Sequence, residues 1–323
     1  MKSELDEQTL SVTVIIPVFQ RPDSVRAAIQ SALEQTRPPL EIVVVDDASA
    51  DETPDVVREI ASRHPSVKLM VMDRNRGGGA ARNCGILAAQ GDLIAFLDSD
   101  DWWLPKKLEH NLRDVPAIRR AVGHDRWALC NFIRVLTPEG ERLPGGRTGH
   151  ITLPIDEYLF IEAGPLQTSS LILPAELARL VLFDDGLRRL QDWDFYLRLK
   201  LQNCQFWVQP EPNTIHDARR VAGRVSAVID SRWLLQWWEQ RRAWMTPRGS
   251  AGFLACKVAV EAAIASNVRV ALWGLGRGLA QRAISPRQVV LTLAHIALPA
   301  GGVARVQELR RRFAAQRCET KSM

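Results

Sequence analysis

Between Ser11 and Leu97 the chain alternates apolar runs with amphipathic ones at short intervals. Ser11 to Val18, SVTVIIPV, is rich in β-branched residues and lacks polar alternation, the pattern of a strand buried on both faces. Pro17 stands near its end, where a missing ladder donor is tolerated. Pro22 to Glu34 follows with Val25, Ala28, Ile29 and Leu33 at helical spacing. Glu41 to Asp46, EIVVVD, predicts a second buried strand. Ser49 or Asp51 can cap the next helix, Glu52 to Arg63. Val67 to Met72 predicts a third strand, Gly77 to Gly79 open a helix through Ala89, Gly91 ends it, and Asp92 to Leu97 predicts a fourth strand. This alternation predicts an α/β fold with a mostly parallel, Rossmann-like sheet flanked by helices on both faces. Such sheets bind ligands outside the carboxyl ends of their strands. Three of those ends read Pro17-Val18-Phe19, Asp46-Asp47 and Asp98-Ser99-Asp100-Asp101, so one crevice collects several carboxylates.

Beyond residue 100 the pattern is less regular. Trp127 to Val135, Ser169 to Leu173 and Gln205 to Val208 read as strands, Gln191 to Leu201 as a helix, and Thr137 to Gly149 as a loop rich in Gly and Pro. After about residue 220 the pattern turns helical over Ser231–Trp244, Gly252–Ser266, Arg287–Leu298 and Val303–Ala315. The 323 residues therefore divide into a domain over 1–220 and a basic, Trp-containing helical extension over 221–323. With 46% hydrophobic and 24% charged residues the composition is that of a globular protein, which excludes disordered and collagen-like chains.

The net charge of +5 hides an asymmetry: residues 219–323 hold 18 Lys and Arg against 5 Asp and Glu, a net of +13, which leaves −8 for residues 1–218. Such a tail points to an anionic partner. Trp233, Trp237, Trp238 and Trp244 share one predicted helix with Arg232, Arg241 and Arg242; this reads either as a packed helix or as a patch for an anionic membrane surface, with Arg310–Arg312 in support. No nucleic-acid recognition module is visible. No run of 18 apolar residues or signal-peptide pattern occurs, and the five cysteines are odd in number and widely spaced. The expectation is a cytoplasmic protein with reduced thiols, peripheral at the inner face of the membrane if the basic region binds lipid.

Carboxylates as crowded as Asp98, Asp100 and Asp101 repel one another unless a cation or donor compensates. Mg²⁺ or Mn²⁺ suits them, taking one or two carboxylates and completing its shell with phosphate oxygens and water. In order along the chain stand VTVIIPVFQRP, IVVVDDASAD, RNRGGGAARNCGI and IAFLDSDDWW. Together these motifs resemble glycosyltransferase family 2, inverting enzymes of the GT-A fold, over residues 11 to about 220. The resemblance implies that Pro17, Val18 and Phe19 line a nucleotide pocket and that Asp46 or Asp47 accepts from the base or ribose. It implies further that Arg76 and Arg82 lie near the base and diphosphate, that Asp98 faces the ribose or the metal, and that Asp100 ligates the metal.

Gln191-Asp192-Trp193-Asp194 then matches the family's acidic helix start, with Gln191 where Glu is usual. The match implies Asp192 as the general base that deprotonates the acceptor hydroxyl. His216 is a candidate near the diphosphate or metal, and Thr168, Ser169 and Ser170 border the acceptor side. The QxxRW signature of processive members is absent, so one sugar is transferred per encounter. The implied donor is a nucleotide-sugar, most often UDP-linked, and the implied acceptor a glycan or lipid carrier of bacterial surface polysaccharide. Two rival readings are a sugar nucleotidyltransferase, which needs a Gly-rich loop where PVFQRP stands, and a non-catalytic membrane-surface protein on a degenerate fold, which Gln191 keeps open. Val268 to Gly278, VRVALWGLGRG, looks like a strand leading into a glycine turn but lacks the third glycine of a dinucleotide fingerprint at residue 279.

Overall fold

The computed structural model of the chain describes residues 10–138, 140–143, 145–164, 166–219 and 230–297. The chain splits into two compact units, one of residues up to Ile155 with Ala163–Ala227, the other of Asp156–Glu162 with the residues from Val228 onward.

The first unit is built on a mixed sheet. β1 (Val12–Val18), β2 (Glu41–Asp46), β3 (Val67–Val71) and β4 (Leu93–Phe96) alternate with α1 (Pro22–Leu33), α2 (Thr53–Arg63) and α3 (Gly78–Ala88). These four strands are parallel, in the order β3-β2-β1-β4, with Thr13 opposite Glu41 and Val18 opposite Asp46. The strands lack polar alternation because both faces are covered. Val12, Val14, Ile16 and Val18 of β1 cluster with Val25, Ala28 and Ile29 of α1 and with Val57 of α2. On the other face α3 comes so close that a Cβ on Gly85 would stand 2.6 Å from Ile15 Cγ2. Pro22 starts α1, where a missing N–H costs nothing. At α2 the Asp51 carboxylate accepts from the Thr53 N–H at 3.1 Å, while the Ser49 hydroxyl accepts from the Gln20 N–H at 2.8 Å instead.

The sheet continues through β5 (Asp101–Trp103), α4 (Lys107–Val122), β6 (Trp127–Thr137), β7 (Gly140–Arg142), β8 (Gly149–Ile151), β9 (Ile172–Pro174) and β10 (Gln205–Asp217). α5 (Ile155–Phe160), α6 (Ala175–Val181) and α7 (Gln191–Leu201) fall between these strands in sequence. The order runs on as β4-β9-β6-β10-β5, with β7 beside β6 and β8 beside β10. β9 is antiparallel to β4 and β6, β5 is antiparallel to β10, and β10 is parallel to β6. Three sequence expectations change. Thr168–Ser170 form a 3₁₀ turn, and the strand begins only at Ile172. β10 extends to Asp217, its register shifting between Gln209 and Thr214, a stretch where Pro210 and Pro212 cannot donate. The expected loop after Thr137 contains β7 and ends in β8. Two helices were not expected: α6, which is short, and α4, whose Leu108, Leu112, Val115, Ile118 and Val122 stand at helical spacing with Pro116 among them.

The second unit is helical among the described residues. α8 (Ser231–Arg241), α9 (Pro247–Phe253), a π-helical stretch (Leu254–Val258), α10 (Ala259–Ile264), α11 (Val268–Ala280) and α12 (Pro286–Ala297) follow one another. The Asp230 carboxylate accepts from the Arg232 N–H and caps α8. Trp237 and Trp238 are buried, Trp237 lies 5.0 Å from Phe253, and Arg241 is buried over the Trp237 and Trp244 rings. Trp237 and Trp238 are therefore core, the packed-helix reading for these two, while Trp233 and Trp244 are half-buried. The segment expected to be a strand and glycine turn is the helix α11: a Cβ on Gly274 would meet the Leu254 carbonyl oxygen at 2.7 Å and one on Gly278 would meet Ala255 at 2.5 Å. Its glycines serve close packing of helices. No helix among the described residues is long and apolar enough to cross a membrane. The expected helix Val303–Ala315, with Arg310–Arg312, and Cys318 lie outside the described residues.

Candidate active site

The carboxyl ends of β1 and β2 meet in register. Pro17 and Val18 are buried, Pro17 opposite Val45, and Phe19 stands beyond the strand 40% exposed. Asp46 and Asp47 are both buried, yet their carboxylates differ in use. Asp47 accepts from the Arg76 N–H and the Gly77 N–H, each at 2.7 Å. It is a staple for the glycine loop. Asp46 accepts from the Ser49 N–H at 2.9 Å through one oxygen, and its other oxygen is buried without a partner. A buried acceptor left open in this way needs an account. Gly77 holds φ +93°, which favours glycine, and a Cβ on Gly79 would stand 3.1 Å from the Asp184 carbonyl oxygen. The glycines thus let α3 start close to the segment leading into α7.

Arg82 on α3 joins the two sides. Its guanidinium pairs with Asp98 and donates to Gln191 Oε1 at 2.9 Å, while its Nε is buried without a partner. Arg76 pairs with Asp185 at 2.6 Å, both half-exposed. Arg188 donates to Asn75 Oδ1 at 2.9 Å.

The acidic turn after β4 is compensated carboxylate by carboxylate. Asp98 has Arg82. Asp100 has Arg21, from the first residues after β1, at 2.5 Å. Asp101 is buried and bonded to the Ser169 hydroxyl at 2.5 Å, the Gln167 amide at 3.2 Å and His216 Nδ1 at 2.8 Å. Burial pushes the Asp101 carboxyl up to about 6, with the His216 hydrogen bond pulling the other way. Ser169 also accepts from the Asp98 N–H at 3.0 Å, so the Thr168–Ser170 turn braces the acidic turn from below.

Asp192 is the second residue of α7, which Gln191 opens directly after Leu190, whose φ of +55° is unusual for a non-glycine residue. Its carboxylate accepts from the Trp193 N–H at 2.9 Å. Loss of water raises its proton affinity above the usual carboxylate range; nearby Arg82 opposes this and Asp98 adds to it. Asp194 is buried and pairs with Arg198 at 2.6 Å, a different job two residues away. Gln191 donates to the Leu187 carbonyl at 2.6 Å as well as receiving Arg82.

Arg82, Asp98 and Asp192 thus come together at the start of α7, while Asp47 holds the loop that leads into the helix carrying Arg82 and Asp46 bonds within its own turn. Asp100 and His216 each answer to a different partner, Arg21 and Asp101. Sequence reasoning passed over Arg21, Gln167 and Arg188; Arg21 lay in plain view in the FQRP motif, but its partner is 79 residues away. The donors fit a hard divalent cation, since Asp98 and Asp100 supply oxygen from one turn. Among the described residues no three His, Cys, Asp or Glu side chains are grouped to hold an ion unaided. Two carboxylates completed by phosphate oxygens is the pattern Mg²⁺ takes.

The sequence model described as glycosyl transferase family 2 matches residues 13–124, which contain every strand-end motif up to the acidic turn but not Asp192 or His216. The chain is 37% identical over 172 residues to the succinoglycan biosynthesis protein ExoO of Rhizobium meliloti, covering 53% of this chain and 43% of that one. It is 30% identical over 215 residues to the amylovoran biosynthesis glycosyltransferase AmsB of Erwinia amylovora, covering 63% of this chain and 68% of that one. The chain thus spans less than half of ExoO and about two thirds of AmsB. The crystal structure of S. aureus TarS 1-349 in complex with UDP-GlcNAc superposes with a TM-score of 0.61 at 20% identity, over 94% of this chain and 92% of that one, so the folds are alike. From the strand-end motifs, the GT-A architecture and the extent of the match to AmsB, the chain belongs to glycosyltransferase family 2 and is a glycosyltransferase.

Proposed function

We propose that the chain moves one sugar from a UDP-sugar to a hydroxyl of a glycan or lipid-linked acceptor, with inversion, in the synthesis of a bacterial surface polysaccharide. The observation that carries this reading is the junction of Asp98, Arg82 and the start of α7, where Asp192 sits with raised proton affinity beside a guanidinium. The similarity to ExoO, a succinoglycan biosynthesis protein, and AmsB, an amylovoran biosynthesis glycosyltransferase, supports the acceptor class, and the UDP-GlcNAc in the TarS structure supports the donor.

In this reading Asp46, with its open oxygen, accepts from the nucleoside, while Asp47 keeps the shape of the loop that surrounds it. Pro17, Val18 and Phe19 line the nucleoside side. Arg82 offers its unpartnered Nε to the diphosphate, and Arg76 lies further out on the same loop. Asp98 and Asp100 would hold Mg²⁺ or Mn²⁺, with His216 at its periphery, and the bound cation would offset charge on the departing diphosphate. Asp192 takes the proton of the acceptor hydroxyl as that oxygen bonds to the anomeric carbon. The bond from that carbon to the diphosphate oxygen breaks, and the electron pair leaves with the diphosphate. A general base needs proton affinity closer to the working pH than a free carboxylate has, which the desolvation of Asp192 supplies. The enzyme would act at the cytoplasmic face of the membrane, as a peripheral protein.

A thermal-shift series tests the donor side. UDP should raise the melting temperature in the presence of Mn²⁺, one UDP-sugar should raise it further, and Asp46→Ala should lose the shift. A folded protein that responds to no nucleotide would overturn the reading.

A further inference from the structure

The second unit carries a surface unlike the rest of the described chain. Of fourteen large apolar side chains that stand exposed among the described residues, seven fall between Ile264 and Leu293. Exposed apolar residues scattered singly need no explanation, but a cluster does. On α11 the buried residues Ala271, Gly274, Leu275 and Gly278 occupy one side, and Val268, Leu272, Trp273 and Leu279 stand on the other, 42–55% exposed. Val290 and Leu293 of α12 are likewise exposed.

The charge on this stretch has one sign. From residue 262 to residue 297 there are four arginines, Arg269, Arg277, Arg282 and Arg287, and no Asp or Glu. None of the four side chains has a carboxylate partner among the described residues. Where α11 meets α8, Trp273 stands edge-on to Trp238, with ring centroids 6.1 Å apart. Next to that contact is an open pocket of about 390 Å³ with Trp238, Met245 and Pro247 in its wall; Arg277 lines it, and so does Arg242, which pairs with Glu239 at 3.0 Å and lies over the Trp238 ring. Apolar side chains, an indole at the margin and an excess of guanidiniums over carboxylates are the composition of a helix that lies in a lipid interface. The apolar groups enter the acyl boundary, the indole stays at headgroup depth, and the arginines meet phosphates.

We propose that the outward face of α11, with Val290 and Leu293 of α12, rests on an anionic lipid bilayer, and that Arg242 and Arg277 take one lipid phosphate in the pocket beside Trp238. This deepens the peripheral placement proposed above and depends on the donor reading for its purpose alone. The surface differs from the one the sequence suggested, because Trp237 and Trp238 of α8 are inside.

The test is cosedimentation of the full chain with phosphatidylcholine vesicles, with and without phosphatidylglycerol, at low and high salt. The protein should pellet with the phosphatidylglycerol vesicles, be released by salt and ignore pure phosphatidylcholine. The double variants Leu272→Gln/Leu279→Gln and Arg269→Gln/Arg277→Gln should each weaken partition by about tenfold or more. Both should keep the wild-type melting temperature and the UDP-induced shift, because all four side chains are exposed. Failure of wild type to pellet at low salt overturns the proposal, and so does equal pelleting by the variants. A dimer in sedimentation velocity that Leu272→Gln/Leu279→Gln dissociates, without vesicle binding, assigns the face to a second copy and also overturns it. Loss of the UDP shift would count against the donor site and leave the vesicle result standing.

Discussion

Asp192 carries a conflict between folding and chemistry. Its carboxyl holds a proton more tightly in the folded chain than in the unfolded one, because burial disfavours the charge. The folded state then binds more protons between the two pKa values, so stability is full at low pH and falls as pH rises through that window. At neutral pH the charge is a cost to the fold. Asp192→Asn removes that cost, and an amide oxygen can still accept from the Trp193 N–H. The variant should melt higher than wild type at neutral pH, with the difference closing toward acid pH, while transfer falls by roughly 10²–10⁴. Melting curves over pH and a sugar-transfer assay read the two effects separately. Gln191 fits the same accounting, since it satisfies Arg82 without adding a third negative charge beside Asp98 and Asp192. The carboxylates were legible in the sequence as a group, but their division of labour was not. Asp46 and Asp47 are adjacent and identical, and their hydrogen bonds tell them apart: the Arg76 and Gly77 N–H groups on Asp47, the Ser49 N–H and an open oxygen on Asp46.

At the scale of elements, the glycines of α11 make opposed predictions within one helix. Gly276 has no atom within 4 Å of where a Cβ would go, whereas Gly274 and Gly278 would drive theirs against Leu254 and Ala255. Gly276→Ala should stabilise by about 0.5–1 kcal/mol through helix propensity. Gly274→Ala and Gly278→Ala should each destabilise by about 1–3 kcal/mol through overpacking. Urea denaturation of the three variants checks both signs. The alternating apolar runs announced β1 to β4 and α1 to α3 because each is buried by neighbours close in sequence. β7, β8 and α6 were not announced, because such short elements form where distant partners hold them; α4 was legible in the spacing of Leu108, Leu112, Val115, Ile118 and Val122, but Pro116 interrupts the pattern. β10 shows the same dependence: Pro210 and Pro212 argue against a strand locally, while β6 and β5 on its two sides supply the pairing.

The whole molecule is two units joined more than once along the chain. The helical unit is discontinuous, since Asp156–Glu162 lies far upstream of the rest of it. Within that unit the buried Asp156 accepts from both the N–H and the hydroxyl of Thr246, at 2.7 and 2.9 Å, and Phe160 lies 5.1 Å from Phe253. A Cβ on Gly249 would collide with the Asp156 carboxylate, so the fit is close on both sides. The composition shift near residue 220 marks where the helical residues begin in sequence but says nothing of the seven that join them from upstream. A grafting experiment would meet this directly. A chimera that takes residues 221–323 as a cassette would carry Thr246, Arg248 and Phe253 into a host without Asp156, Glu157 and Phe160. Its melting temperature should be lower than that of a chimera that transplants Asp156–Glu162 as well. Recombination between relatives would therefore succeed most often when both crossover points travel together, so the two stretches of the helical unit are inherited as a pair.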